Sequence, residues 1–365
     1  MAASGDYLLV PADETYDFVK RCMVATGVKE SHAEDLASLL HAADTRGHFS
    51  HGLNRLGMYV NDVLDTSTAK VGEPTVLKET VATAHVDANN VLGPTAGKFC
   101  IDLAIEKAKV AGISWVTCKG SNHYGIAGWY SMRAASQGLI GMSFTNTSPL
   151  MVPTRGKEPV LGTNPISVSA PAKDGDMYVL DMATTTAAVG KVEMKVRKDE
   201  ELPRSWAVDK DGMELHEGKK VLTGNGGLQP LGGLEESAGY KGYGLGMMVE
   251  VFCGILGGSA YGHHIRHWLG LKKPGVPSNL GQGFVALDPK CFADGFEDRM
   301  SDLMDHCRNL EPVEGQSEVL APGDPERKHI KKVESEGGIY YHEHVVNEMN
   351  QIAKRLNVAP LKIIS

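Results

Sequence analysis

The chain has 365 residues, 42% of them hydrophobic and 22% charged, the balance of an ordinary globular protein, with length for two or three domains. Its net charge of -8, with no basic block, excludes nucleic acid as the main partner, because neutralising phosphates needs a basic face. Six scattered cysteines (Cys22, Cys100, Cys118, Cys253, Cys291, Cys307) without a C-x-x-C pair exclude a disulfide framework and predict buried thiols in a reducing compartment, the cytoplasm.

Residues 1–10 have no positive cluster ahead of an apolar run, so no secretory signal is expected. Residues 14–28 place Tyr16, Val19, Cys22 and Met23 at helical spacing. Ser31, with Glu34 three residues on, reads as a capping box opening a second helix through Leu36, Leu39, Leu40 and Ala43. That helix delivers residues 46–55, Arg-Gly-His-Phe-Ser-His-Gly-Leu-Asn-Arg, and a helical run with Leu56, Tyr59 and Val63 leads out. Histidine exchanges protons near neutrality, and the arginine fork matches a carboxylate two bonds at a time. The stretch therefore suits holding a carboxylate and moving a proton, although solvated arginines and a helix-end imidazole fit the same residues.

Around residue 75 the texture changes. Residues 81–87 alternate like a strand, Gly93-Pro94 breaks the chain before a helix over 95–111, and 113–118 is a short apolar strand. At its end stand Ser121, Asn122 and His123 in a polar run flanked by glycines, where open α/β sheets place functional side chains. Residues 134–138 close a helix. Strand-like runs over 140–144, after 162–166 and over 177–180 stop at small hydroxyl or amide residues, among them Thr147 and the stretch containing Asp181, Met182 and Ala183. Such ends supply donors to phosphates or a ribose.

Residues 191–227 are charged and turn-rich, a helix followed by loops carrying Trp206. Residues 239–244, Gly-Tyr-Lys-Gly-Tyr-Gly, read as a loop that lets backbone approach an anion while Lys241 supplies charge; a tight turn before a packed helix fits the same glycines. Residues 243–262 have Glu250 as their only charge, yet six glycines and that carboxylate favour a buried helix over a membrane span. His263, His264 and His267 cluster with Arg266, but no acidic or cysteine partner stands at ligand spacing, so no metal is expected. A loop over 270–283, a strand over 284–287, a helix over 294–308, a turn over 321–326, a solvated charged segment to 338 and an amphipathic helix with Val345, Met349, Ile352 and Leu356 complete the chain. No G-x-G-x-x-G follows a strand and no phosphate-binding P-loop occurs. The residues by themselves stop at a mixed α/β (α+β) enzyme acting on a small anion by acid/base steps.

Six stretches, 46–55, 121–128, 162–165, 180–183, 239–244 and 322–326, match in order and spacing a known group. The chain resembles the malate/L-lactate dehydrogenase family that is unrelated to the Rossmann-type lactate and malate dehydrogenases. That resemblance implies an NAD- or NADP-dependent oxidoreductase with a non-Rossmann cofactor fold, built as a homodimer, and it explains the missing dinucleotide fingerprint. It implies a cofactor-binding α/β domain over 76–294, inserted between helical segments 1–75 and 295–365 that form a substrate and dimerisation domain. By position, His123 and His51 match the catalytic histidines, with His123 favoured as the acid/base. Arg55 and Tyr59 match residues that hold the substrate carboxylate, with Arg46 and Ser50 beside them. Asn122, Thr147, Asp181, Met182, Ala183, Lys241, Pro322, Gly323 and Asp324 match the cofactor positions. Asp324 replaces a more usual glutamate, which shortens or removes a contact made by that side chain. The expected substrate is a small 2-hydroxy or 2-keto acid, malate/oxaloacetate or a close relative such as lactate or sulfolactate. The alternatives are a reductase of cyclic imino acids or keto sugars on the same scaffold, and a non-catalytic carboxylate-binding dimer.

Overall fold

The computed structural model describes residues 7–267 and 274–364. A short strand, β1 (Tyr7–Pro11), leads into α1 (Ala12–Ala25) and α2 (Glu30–Thr45), and two 3-10 turns, Phe49–His51 and Leu53–Arg55, carry the chain into α3 (Leu56–Leu64). At the other end α10 (Asp324–Glu336), β11 (Gly338–His342) and α11 (Glu343–Leu356) return to the same place. Strand β11 pairs antiparallel with β1, Tyr7 opposite His342. Phe18, Leu36, Leu53 and Val63 thereby share one buried core with Tyr341, Val346 and Met349. Every one of these side chains is apolar over most of its surface, so the hydrophobic gain of burying them holds the two chain ends together.

Between those ends lies a seven-stranded sheet in the order β2-β3-β4-β10-β5-β6-β7. Its members are β2 (Thr75–Glu79), β3 (Thr83–Asp87), β4 (Ile113–Ser121), β5 (Ile140–Thr145), β6 (Ile166–Pro171), β7 (Met177–Met182) and β10 (Leu280–Leu287). Only β3 and β4 run parallel, joined by the crossover helix α4 (Gly93–Ala111). On one face α4 and α5 (Gly128–Ala135) cover Val86, Val116 and Phe284 with Ile101, Ile105 and Tyr130. On the other, α8 (Gly239–Glu250) and its π-helical extension Val251–Ile255 put Val249 and Cys253 against Phe144, Ile166 and Val285. A satellite of α6 (Val189–Arg197), β8 (Ala207–Asp209), α7 (Gly218–Leu222) and β9 (Gly226–Leu228) has its own small core of Val192, Leu202, Ala207, Leu215, Val221 and Leu228. Helix α9 (Phe296–Arg308) packs Met304 on Ala172 and Tyr178, so by its contacts it lies with the sheet rather than with the first core.

Several local expectations change. The second helix begins at Glu30 with Lys29 as its N-cap and no side-chain cap bond; Glu34 accepts from Lys20 at 2.7 Å instead, so Ser31 and Glu34 form no capping box. Gly93 and Pro94 are the first turn of α4 rather than a break before it, since proline tolerates the start of a helix where its missing N–H is not needed. Residues 239–244 are helix, not loop: a Cβ on Gly242 would lie 2.3 Å from the Leu231 nitrogen, so glycine is what lets α8 pack this close to the neighbouring backbone. The charged segment before residue 338 is the helix α10, and strand β10 starts at Leu280, inside the expected loop over 270–283, whose residues 270–273 lie outside the described ones. Of the cysteines, Cys22, Cys100, Cys118 and Cys253 are buried but Cys291 is exposed and Cys307 half-buried. Among the described residues no helix is long and apolar enough to cross a membrane. Glu250 sits in α8 with its carboxylate taking hydrogen bonds from Asn146 and Asn164, both at 2.9 Å.

Candidate active site

The stretch 46–55 is shaped by one buried carboxylate. Asp44, in the last turn of α2 and fully buried, accepts from the Leu53 N–H at 2.8 Å and from the Tyr341 hydroxyl at 2.5 Å. Burial pushes its carboxyl up to about 7 despite those two bonds. A Cβ on Gly52 would stand 1.8 Å from Asp44 Oδ1, so only glycine lets the turn close over the carboxylate. The result is a pair of single-turn 3-10 segments that present His51 and Arg55. Ser50 Oγ lies 2.8 Å from His51 Nδ1, and the Ser50 carbonyl accepts from Arg55 Nε at 2.7 Å.

His123 arrives from the other core, at the exit of β4. The Asn122 side chain donates to Asn90 Oδ1 at 3.0 Å and to the Val91 carbonyl at 2.9 Å, and the Asn122 carbonyl accepts from Gln282 Nε2 at 3.0 Å. His123 Nδ1 is 2.6 Å from the Tyr59 hydroxyl and takes a longer bond, 3.3 Å, from the Gly125 N–H. A backbone N–H can only donate, so Nδ1 is an acceptor and the neutral ring carries its proton on Nε2. Tyr59 then donates to Nδ1, and burial, by raising its phenol well above the ordinary value, keeps that proton in place.

The two imidazoles meet nearly parallel, ring centroids 5.8 Å apart at 16°. Burial lowers His51 to about 3, with Arg55 adding repulsion. It also lowers His123 well below its usual range, helped by His51 and Arg55. Both rings are neutral at neutral pH. They border a cavity of about 210 Å³ together with Arg55, Thr147, Met58 and Glu193. Thr147 is fixed there by Asn164, whose Oδ1 accepts from the Thr147 N–H at 3.1 Å, and by the Thr163 N–H, which donates to Thr147 Oγ1 at 2.9 Å.

A second cavity of about 570 Å³ lies on the far side of the same two loops. Arg46, His48, Asp181, Pro322, Gly323 and Glu326 line it. Asp181 accepts from the Gly128 N–H at 2.7 Å and is pushed up to about 6 by burial, and His48 Nε2 stands 3.5 Å from Glu326. Arg46 is therefore in a different cavity from Arg55. Ser50 and Tyr59 border neither cavity; each is hydrogen-bonded to a histidine that borders the first. Asn122, Met182 and Ala183 stand beside the cavities without lining them, and Lys241 is exposed on α8. Asp324 turns inward: its carboxylate takes bonds from Arg308, Arg327 and the Ala321 N–H, which hold it far below the usual carboxylate range. Two side chains outside the sequence reading, Asp44 and Glu193, are central to the geometry. Asp44 is one acidic residue among several on a helix and carries no motif, and Glu193 is separated from Arg55 by 138 residues.

Residues 123–125 border the first cavity and residues 126 and 128 the second, so one ligand can run from one to the other past a single loop. Next to His123, Asn122 Oδ1 and Gln282 Oε1 are buried acceptors with no partner among the described residues.

The malate/L-lactate dehydrogenase family profile matches residues 10–350. This chain belongs to the malate/L-lactate dehydrogenase family. Among curated relatives of this dehydrogenase family, the malate dehydrogenase of Pyrococcus abyssi is 36% identical over 98% of each chain. The malate/(S)-sulfolactate dehydrogenase of Methanothermus fervidus is 35% identical over 96% of this chain and 99% of its own. Among solved structures, the malate dehydrogenase of Entamoeba histolytica superposes with a TM-score of 0.91 at 31% identity, covering 97% of this chain and 99% of that one. Family membership accounts for an α/β dehydrogenase whose nicotinamide site has no glycine-rich dinucleotide fingerprint.

Proposed function

We propose that the protein interconverts a small 2-hydroxy acid and its 2-keto acid, malate and oxaloacetate or a close relative such as sulfolactate or lactate, with NAD or NADP. The observation that carries this reading is the pair of neutral, parallel imidazoles beside a guanidinium in one cavity. Arg55 holds the substrate carboxylate. His123, with its proton on Nε2, donates a hydrogen bond to the keto oxygen, and His51 closes the polar shell behind it. In the reductive direction His123 takes one proton from solvent, gives its Nε2 proton to the substrate oxygen as the hydride reaches the carbon, and returns to the neutral ring. In the oxidative direction the same transfers run backwards and one proton is released. The bound nicotinamide supplies or accepts the hydride. Thr147 on the first cavity and Asp181, Pro322 and Gly323 on the second would hold that cofactor, with Lys241 in reach only if the ligand extends over α8.

The helical unit, 1–75 with 295–365, is proposed to carry the carboxylate-binding half and the sheet unit, 76–294, the cofactor half, with α9 docked on the sheet side. A homodimer is supported by an apolar stripe on α8 and its extension, where Tyr240, Met247, Val251 and Ile255 are exposed. Four buried free thiols fit the cytoplasm.

The reading is tested by the absorbance of reduced nicotinamide, with NADH and NADPH each run against oxaloacetate, pyruvate, sulfopyruvate and a cyclic imino acid. Consumption with one keto acid names the substrate and the cofactor together. No consumption with any of them, and no binding of either nucleotide, would leave the carboxylate-binding dimer as the better account.

A further inference from the structure

Arg55 has no two-donor edge free for a carboxylate. Its Nη1 and Nη2 donate to the two oxygens of Glu193 at 3.2 and 2.9 Å, and its Nε donates to the Ser50 carbonyl at 2.7 Å. A guanidinium can pair with a carboxylate across its two Nη atoms or along its Nε side. Glu193 fills the first position, and the Ser50 carbonyl blocks the second at Nε. Glu193 thus has the place and the paired geometry that the carboxylate of a 2-keto acid needs, and it borders the same cavity as His123.

On the function proposed above, on which this inference rests, we propose that Glu193 is an internal stand-in for the substrate carboxylate: it latches Arg55 to α6 until the incoming acid displaces it. Exchanging one carboxylate for another on the same guanidinium keeps the number of charge-assisted bonds, so the latch acts by competition rather than by a large stored energy. The anchoring of α6 allows it to move. Of its nine residues only Gly190 and Val192 are buried, and Val192 belongs to the satellite core rather than to either large one. Its outer side, Met194 and Arg197, borders a groove of about 490 Å³ instead of packed side chains. Its inner side meets the catalytic turn through Gly190, where a Cβ would come 2.3 Å from Ser50 Cβ. Residues 190 and 193 are three apart on a helix and so face the turn together. The latch also screens substrates, since a molecule without a carboxylate cannot take Arg55 from Glu193.

The test is a split between Michaelis constant and turnover in Glu193→Gln, with Glu193→Asp as the charge-keeping control. If the latch is closed nine-tenths of the time in the free enzyme, its removal lowers KM for the keto acid about tenfold, with kcat moving far less. Calorimetric titration with oxalate, an unreactive carboxylate, should tighten in the same proportion in Glu193→Gln, and Glu193→Asp should stay near the parent in both readouts. The neutral amide of the keto acid should gain nothing. A KM that rises or stays level in folded Glu193→Gln, with oxalate affinity unmoved, overturns the latch. Should Glu193→Gln not fold, Glu193→Ala is read in the same way, and if neither folds Glu193 is a structural ion pair and the proposal is wrong. If the parent consumes no reduced nicotinamide with any acid, the proposed function falls instead, and the oxalate titration still decides for or against the latch.

Discussion

His123 stands at the end of a strand flanked by strands on both sides, its neighbour Asn122 bonded to a loop and to β10, its own ring held by Tyr59 and a backbone N–H. His51 stands on a three-residue turn that closes over a buried carboxylate, Asp44. One imidazole is fixed by bonds that reach into a sheet, the other stands on a turn whose fully buried side-chain anchor is Asp44. The first arrangement tolerates the loss of any one support; the second concentrates the risk at a residue that touches no ligand.

The sharpest test of that contrast removes the rings and then their supports. His123→Ala should lower kcat about 1,000-fold, the usual scale for a general acid/base, with KM little changed, as read by nicotinamide absorbance. Asp44→Ala should cost about 3 kcal/mol of stability, because the Leu53 N–H and the Tyr341 hydroxyl lose their buried acceptor, and denaturant unfolding measures it directly. No single side-chain support of His123 should cost as much. Tyr59→Phe leaves the ring size intact and removes one donor to Nδ1. It should lower kcat about tenfold and shift the pH profile of kcat/KM with little change in melting temperature; an unchanged profile would show that the tautomer does not depend on Tyr59. Ser50→Ala, which removes one bond to His51, should cost about threefold in kcat/KM.

Stability against pH separates the two supports again. Asp44 has its folded value raised from 3.8 to about 7, so it contributes stability at low pH that is lost as pH rises through that window. His51 has its folded value lowered from 6.5 to about 3, so its contribution is present above 6.5 and lost as pH falls. The two slopes oppose each other in the parent. Asp44→Asn removes the first and keeps a side chain of the same size, so its melting temperature should climb more steeply between about pH 4 and pH 7 than the parent's does. Equal slopes in the two proteins would mean that the Asp44 carboxyl titrates as it would in water.

Much of the site was legible because its chemistry is local in sequence. The stretch 46–55 and the exit of β4 display imidazole, guanidinium and glycine within a few residues, and periodicity places both at the ends of regular elements. What could not be read depends on distance or on packing. The pairing of Glu193 with Arg55 joins segments that no local pattern relates. Asp44 gives no signal because a carboxylate on a helix is ordinary until the fold buries it. The glycines of α8 suggested a loop since helix propensity is weak evidence against a close tertiary contact. Strands β1 and β11 are five residues each and take their partner from the opposite end of the chain, while β2 is exposed along its whole length and has no alternation to show.

That pairing of the two ends governs when the enzyme can be finished during its synthesis. The sheet and its helices are complete in the nascent chain well before residue 338 emerges, and they can fold first. The catalytic turn cannot, since the hydroxyl that holds Asp44 belongs to Tyr341 and the core beneath it needs α11. A chain released early would thus have its sheet assembled, with His123 in it, and His51 unsupported: folded in the larger part and idle, with the apolar faces of α1 and α2 left open to chaperone or protease.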